Sequence, residues 1–503
     1  VINVTLTTDA QSLSEVVITA QGIERSKRSL GYDAQTTSGA DIAGSQRENF
    51  INALQGRVAG VTITPTNGTP GASSSIIIRG AVSLDGDNQP LFVIDGLPIS
   101  NNTFSEYNLV GQGTYNRQND YGNRGMDINP EDIESLTILK GPEAAALYGT
   151  QGASGAVVIT TKKAKAGKAT VAYNNVFKLD NAYRFPDVQT VYGGGAGGIF
   201  DEEVRTRTYF GAKYPERFQR YDNLGAFYQT GFTQRHNASV AGGTEALSVR
   251  SSISYTDQNG VIKGTDFKSI NARLTGVSKI SDKVSMNASF NVISSNTNKT
   301  FKGASSPMLS VLTWPVIDDI RNRYTETGGR RTITGSNSGE LDNPLWAMEK
   351  NPNSDKVSRV IGNYGIDYKP LKWLNVSLKA GMDIYTMQGL SGYDAEAYGA
   401  NFSGSTFVGG GLNTFSENKI LYNGNLTVTA KKTFGKFSPR VTLGYDVSDD
   451  RDQTTAQFGT RFYQSGFFSI NNTDPTTHRV QFTDIYKRKM GAFGQAELGY
   501  ADM

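Results

Sequence analysis

Side chains able to do acid–base or nucleophilic chemistry are sparse in this chain of 503 residues, which has 2 histidines and no cysteine. Without thiols there is no disulfide, no thiolate metal site and no cysteine nucleophile. His236 falls in a run of alternating polarity, where a place in a strand explains it better than catalysis. Gly152-Ala153-Ser154-Gly155 lacks the Gly-x-Ser-x-Gly spacing of a nucleophile elbow. Gly193-Gly194-Gly195-Ala196-Gly197-Gly198 lacks the preceding strand and following helix that a phosphate cradle requires. Asp85-Gly86-Asp87-Asn88 starts like a calcium loop, but the later glycine and glutamate are missing, and it reads as a turn. Asp449, Asp450 and Asp452 are close enough to share a calcium ion in an outer loop, the alternative being a solvated loop. The chain is therefore not expected to be an enzyme, and no cofactor or metal is expected beyond that calcium.

What the chain does have is strands. Asn423, Asn425, Thr427 and Thr429 alternate with Tyr422, Gly424, Leu426, Val428 and Ala430, and Leu374 to Ile384 alternates in the same way. Residues two apart share a face, so each strand has one apolar and one polar side. Ten such strands are expected at 168–181, 230–242, 245–256, 266–279, 283–295, 357–369, 373–387, 417–432, 436–449 and 486–501. Very short and very long connections alternate between them, the habit of an outer-membrane barrel.

Hydrophobic residues make up 37% of the chain and the mean hydropathy is −0.40. No stretch approaches the roughly 18 consecutive apolar residues of a membrane helix. The 24 tyrosines, 24 phenylalanines and 56 glycines suit a barrel with aromatic girdles. Tyr255, Tyr368, Trp373, Tyr385, Phe434, Phe437 and Tyr445 lie near strand ends as girdle candidates, ordinary hairpin packing being the alternative. A net charge of +3 offers no electrostatic footprint for nucleic acid.

Residues 41–165 read differently, as a compact α/β unit. Ser45-Gln46-Arg47-Glu48 has capping-box spacing and Gly56 could end the helix, predicting a helix over 45–55. Strands are expected at 60–64, 74–79, 91–94, 135–139 and 156–161, and Asn129-Pro130 opens a short helix. Such a unit is too large for a barrel of about ten strands, whereas plugged barrels have about 22. We expect residues 166–503 to be the first part of a larger wall.

Within the α/β unit, five blocks closely resemble the plug of SusC-like TonB-dependent transporters (the SusC/RagA family of Bacteroidota). They are Asn52 to Val61 (Asn-Ala-Leu-Gln-Gly-Arg-Val-Ala-Gly-Val), Ile78-Arg79-Gly80, Pro90 to Gly96 (Pro-Leu-Phe-Val-Ile-Asp-Gly), Asn129 to Glu134, and Leu147-Tyr148-Gly149 with Gly155 to Lys163. Lys140-Gly141-Pro142-Glu143 and Thr150-Gln151-Gly152-Ala153 depart from the family's usual turns. The resemblance is strong to about residue 165 and rests on pattern alone beyond it.

The resemblance implies a mainly β fold: a transmembrane antiparallel β-barrel in the outer membrane, about 22 strands when complete, with an N-terminal α/β plug in its lumen. It implies a signal peptide and a small regulatory-like domain before residue 1. Residues 1–40 would be the end of that domain plus a linker holding the TonB box, Glu15, Val16, Val17, Ile18, Thr19 and Ala20; read without the family, the same island is a linker strand. Implied partners are TonB with ExbB and ExbD, a SusD-like surface lipoprotein acting as a lid, outer-membrane lipid, and an oligosaccharide or oligopeptide substrate.

Arg79, after Ile76-Ile77-Ile78, is expected to be buried and to need a carboxylate, with Glu134 as the candidate for a plug salt bridge. A structural ion pair is the alternative to a mechanical role. Phe104, Tyr107, Asn108, Tyr115, Asn116 and Tyr121, on outward plug loops, are candidates to bind substrate, or else to pack the plug's top. Two other functions fit the fold: a siderophore or vitamin importer without a lid, and a docking subunit of an outer-membrane assembly.

Overall fold

The computed structural model describes residues 16–18, 24–26, 34–47, 49–84, 88–105, 109, 119–195, 197–199, 211–303, 306–333, 341–397 and 409–500. Ten strands form one antiparallel sheet, each hydrogen-bonded to the next in chain order. They are β10 (Gly167–Asp180), β11 (Gly231–Gly243), β12 (Leu247–Asn259), β13 (Asp266–Lys279), β14 (Val284–Asn298), β17 (Asn353–Leu371), β18 (Leu374–Tyr393), β19 (Gly411–Lys431), β20 (Phe437–Thr460) and β21 (Arg479–Tyr500). A small hairpin, β15 (Thr332–Ile333) with β16 (Leu341–Asp342), lies in the connection between β14 and β17.

The two faces of this sheet invert the usual rule for a soluble protein. Ile253, Ile270, Leu274, Phe290, Val292, Leu378, Leu426, Leu443 and Tyr445 are exposed on one side. Asn237, Arg250, Asn271, Arg273, Asn291, Arg359, Asp383, Glu417 and Lys419 are buried on the other. The register stacks like on like: Leu274 pairs with Phe290, and Leu378 with Leu426, which in turn pairs with Tyr445. An apolar outer face around a polar lining is the pattern of a wall in lipid. Among the described residues no helix is long and apolar enough to cross a membrane.

Of the girdle candidates, Tyr255, Tyr368, Trp373, Phe434, Phe437 and Tyr445 are exposed. Tyr385 is not: it falls on the inward parity of β18 and is buried.

Against the polar face sits the plug. Its main sheet has the order β3 (Ala34–Ser38), β8 (Ile133–Leu139), β9 (Ala156–Thr161), β6 (Leu91–Ile94), β7 (Leu97–Ile99), with β6 and β9 parallel and the other pairs antiparallel. A separate hairpin joins β4 (Val61–Pro65) to β5 (Ser74–Ile78). Ile51, Ile76, Phe92, Ile94, Ile133, Leu136, Ile138, Val157 and Ile159 form the core, and Ile293 and Ile361 of the wall join it. Each such side chain contributes about 1.5–3 kcal/mol on burial.

Of the expected helix over 45–55 only a 3-10 turn over Phe50–Leu54 forms, and a short helix lies just before the span. Helix α1 (Gly39–Gly44) starts at Ser38, whose Oγ accepts from the Asp41 N–H, and Ser45 ends it rather than starting one. Gln46 then adopts φ 53°, and a 3-10 turn over Phe50–Leu54 is capped by Asn49. Two nearer caps thus outcompete the capping-box pattern.

The outer connections carry their own small core. Helices α3 (Asn223–Phe227), α4 (Pro307–Leu312) and α5 (Pro344–Lys350) come from two connections and bring Leu224, Phe227, Val311, Trp314, Ile320 and Leu345 together. The plug's remaining helix, α2 (Gly141–Tyr148), packs on the sheet beside Val93, Leu139 and Val158.

Candidate functional site: the plug–wall interface

Four charged side chains of the wall reach into the plug: Arg250, Arg273 and Arg359 from strands whose alternation aims them inward, and Lys299 from the residue after β14. Arg359 of β17 is fully buried, and its five N–H groups are all used. Nε and Nη2 bond Asp383 of β18 at 2.8 and 2.7 Å. Nη1 bonds Asp127 of the plug at 2.9 Å and the Arg124 carbonyl at 2.6 Å, and Nη2 bonds the Ser100 carbonyl at 2.8 Å. Asp383 also accepts the Ser100 N–H at 2.8 Å. Arg124 lies against Asp127 at 3.3 Å, so two cations face two carboxylates with no solvent between. The Tyr385 ring lies under both guanidiniums, at 6.0 Å from Arg124 and 5.7 Å from Arg359.

A second tie joins β12 to the loop before β8. Asp132 accepts from Arg250 at 2.6 Å and Ser252 at 2.7 Å, while neighbouring Asn129 donates to Asn237 of β11 at 2.9 Å. Asn129 also accepts the Glu131 N–H, so the residue that caps the 3-10 turn Pro130–Asp132 also fixes it to the wall.

A third tie is Asp95, which turns the chain from β6 to β7 at φ 52° and accepts from Thr161 and from Arg273 of β13. In the fourth, Lys299 pairs with Asp355, donates to the Asp120 carbonyl at 2.5 Å and lies 4.8 Å above the Tyr121 ring.

These contacts are short, mostly charged and shielded from water. Removing one member of a buried pair costs about 3–5 kcal/mol, because the other is left uncompensated. Removing both by separation admits water to each, which costs far less. The interface can therefore hold firmly when closed and still part.

The residues singled out from sequence fall as follows. Val16–Ile18 form β1, paired with β2 (Glu24–Ser26); Glu15, Thr19 and Ala20 lie outside the described residues. Arg79 is exposed, correcting the expectation of a buried guanidinium. Burial in β5 ends at Ile78, and the chain then turns through φ 59°, its N–H bonding the Gly60 carbonyl at 2.8 Å. Glu134 is exposed too, at the break in register between Ile133 and Ser135 where β8 pairs with β9, so the pair Arg79–Glu134 is not the plug's buried salt bridge.

Phe104 stacks on Phe415 of β19 at 3.9 Å, and Tyr121 meets both rings edge-on. Tyr121 is 1% exposed, and this pair packs the plug against the wall. Tyr107, Asn108, Tyr115 and Asn116 lie outside the described residues.

Asp449, Asp450 and Asp452 lie within β20, not in a loop. Asp449 pairs with Arg488 on one face, and Asp450 and Asp452 with Lys419 on the other, which divides the expected calcium ligands between two sides of a sheet. Among the described residues no cluster of acidic or histidine side chains is arranged to hold a metal.

Arg359, Asp383, Asp127, Arg250, Asp132 and Arg273 were not singled out from sequence. The signal was there: an arginine between Val357 and Ile361 on one face of an otherwise uncharged strand stretch, Val357-Ser358-Arg359-Val360-Ile361.

Residues 26–156 match the family model of the TonB-dependent receptor plug domain. The TonB-dependent receptor SusC of Bacteroides thetaiotaomicron is 30% identical over 390 residues, covering 73% of this chain and 36% of the relative. TonB-dependent receptor P26 of Formosa agariphila is 26% identical over 520 residues, covering 100% of this chain and 48% of the relative. The chain thus spans half or less of the length of these curated relatives. In structure it is similar to the RagAB peptide importer in its open-open state, with a TM-score of 0.75 at 20% identity over 97% of this chain and 55% of that one.

Proposed function

Because this chain belongs to the SusC-like TonB-dependent receptors of the outer membrane, we propose that it forms the plug and part of the wall of an active importer for a large nutrient, an oligosaccharide or an oligopeptide. TonB, energised through ExbB and ExbD, takes hold of the segment 15–20 and pulls. A β-prone stretch adds as a strand to a partner's sheet edge, and main-chain hydrogen bonds bear load well in that arrangement. In this reading the hairpin β1–β2 is the resting form of the segment, given up when TonB binds.

The observation that carries the proposal is the set of buried charge pairs between plug and wall, with Arg359 at its centre. The load has a path to it. β3 is the edge strand of the plug sheet and pairs with β8, and the loop leading into β8 holds Asp127 and Asp132. Tension on β3 is therefore transmitted to the carboxylates that hold Arg359 and Arg250.

A SusD-like lipoprotein closing over the outer connections is part of the proposal, and the packed helices α3 to α5 give it a firm rim. Uptake of labelled oligopeptide and oligosaccharide mixtures by cells carrying the full-length receptor, with and without residues 15–20, tests the import reading. Uptake that survives the deletion sinks it. Affinity purification of the full-length receptor tests the lid, which fails if no surface lipoprotein co-purifies.

A further inference from the structure

The lipid-facing side of the wall changes character along its strands. On β14, β17, β18 and β19, in the middle of the sheet, two depressions lie one above the other. The lower has a volume of about 570 Å³ and is apolar, with Phe290, Tyr364, Met382 and Tyr422 standing around Gly362 and Ala380. The upper, nearer the outer connections, has a volume of about 460 Å³ and is polar, lined by Asn296, Lys356, Gln388, Thr414, Ser416 and Gln457. These side chains share the outward parity of their strands, so both depressions open toward the membrane and not toward the plug.

Their spacing matches one leaflet. From Lys356 to Gly362 along β17 is about 20 Å of extended chain. At the usual tilt of barrel strands that is a depth of about 15 Å, half of the roughly 30 Å hydrocarbon core. The upper depression also presents charge of one sign to the membrane. Lys356 is exposed, and its cross-strand neighbours Asn296 and Gln388 are neutral. Lys268 lies on the far side of Asn296, two strand spacings or about 10 Å from Lys356, and meets Asp257 only at 4.0 Å. The one carboxylate in the lining, Asp355, is buried on the inner side and paired with Lys299.

We propose that this face holds one phosphorylated glycolipid of the outer leaflet, with its phosphate between Lys268 and Lys356, its sugar along Asn296, Gln388 and Ser416, and an acyl chain in the apolar depression below. Two ammonium groups flanking a neutral amide suit a phosphate. Amides and hydroxyls in one cross-strand row supply the donors and acceptors that sugar hydroxyls use. A glycerophospholipid would satisfy the lysines but leave that row to water. The strands clamped in this way carry Arg359 and Asp383 on their inner side, so the lipid braces the part of the wall that holds the buried charge cluster.

The test titrates the detergent-solubilised full-length receptor with monophosphoryl lipid A and with its dephosphorylated form, and reads bound lipid by native mass spectrometry. Wild type is expected to retain one phosphorylated molecule per receptor. Lys268→Glu with Lys356→Glu should lower that retention several-fold, and so should Ala380→Leu, which fills the apolar depression. Lys369→Glu, at the opposite end of β17, should leave it unchanged. Equal retention by the charge-reversed receptor, an equal loss in Lys369→Glu, or equal binding of the dephosphorylated lipid overturns the proposal. A receptor dimer that Ala380→Leu splits while lipid A binding stays the same makes this face a contact between two copies, and overturns it as well.

Discussion

Arg359 and Asp127, 232 residues apart in sequence, meet at 2.9 Å with essentially no exposed surface on either side chain. The wall's most completely bonded cation is thereby committed to the plug. What this bond does to the plug's retention can be measured.

Replacing Arg359 with leucine leaves Asp127 and Asp383 buried and without their guanidinium. We expect a loss of about 3–5 kcal/mol in the stability of the plugged state. Differential scanning calorimetry of the detergent-solubilised receptor should show a lowered plug transition. Adding Asp127→Asn and Asp383→Asn should restore most of it; no recovery would mean that the guanidinium acts through packing alone.

Asp132→Ala unties Arg250 and Ser252 without touching the Arg359 cluster. Cells carrying it are expected to admit a bulky hydrophilic antibiotic more readily than wild type. An unchanged minimum inhibitory concentration, at equal receptor levels, would show that this tie does not help keep the plug seated.

Thr36 of β3 and Thr137 of β8 face each other, their hydroxyl oxygens 3.0 Å apart. Directly opposed residues in an antiparallel pair are close enough for a disulfide. The double variant Thr36→Cys with Thr137→Cys, oxidised, should lose uptake and regain it on reduction, if β3 must peel from β8. Undiminished uptake in the oxidised form would mean that the load bypasses this strand pair.

Leu426 lies on the outer face of β19, while Thr427 beside it points to the plug. Leu426→Arg is expected to cost about 2–4 kcal/mol in folding into lipid vesicles. Denaturant titration in vesicles reads this directly, and a cost no larger than that of Leu426→Ala would place the residue outside the apolar belt.

In the outer connection, the Tyr324 hydroxyl donates to Glu349 at 2.6 Å and Arg323 reaches its other oxygen at 2.9 Å. The tyrosine bond, with Arg323 adding to it, holds the Glu349 carboxyl below the usual carboxylate range. A depressed value means that the stabilisation is present above the ordinary glutamate range and is lost as pH falls through the folded-state value. Hydrogen-exchange protection over residues 321–350, taken relative to the intrinsic rate at each pH, should fall on acidification more in wild type than in Glu349→Gln.

The wall was legible in the sequence because a period of two survives along whole strands. All ten expected strands overlap observed ones, down to the matching span of β13. They run longer at their outer ends, as where β20 continues to Thr460 and β17 begins at Asn353. There the outer face is no longer apolar while the hydrogen-bonded ladder continues. Arg79 misled because an apolar run of three isoleucines says nothing about where the chain turns. The buried cluster was hidden for a different reason: Asp127 lies 232 residues from Arg359, and only the docking of the plug on the sheet brings it beside the Arg359–Asp383 pair of the β17–β18 hairpin.

A buried ion pair is strong over a very short reach. Once Asp127 has moved far enough for water to enter beside Arg359, the attraction falls with the rise in local dielectric as well as with distance. The plug is thus restrained by something closer to a brittle catch than a spring: it resists a steady small load, gives way abruptly above a threshold, and must expel water before it can seat again.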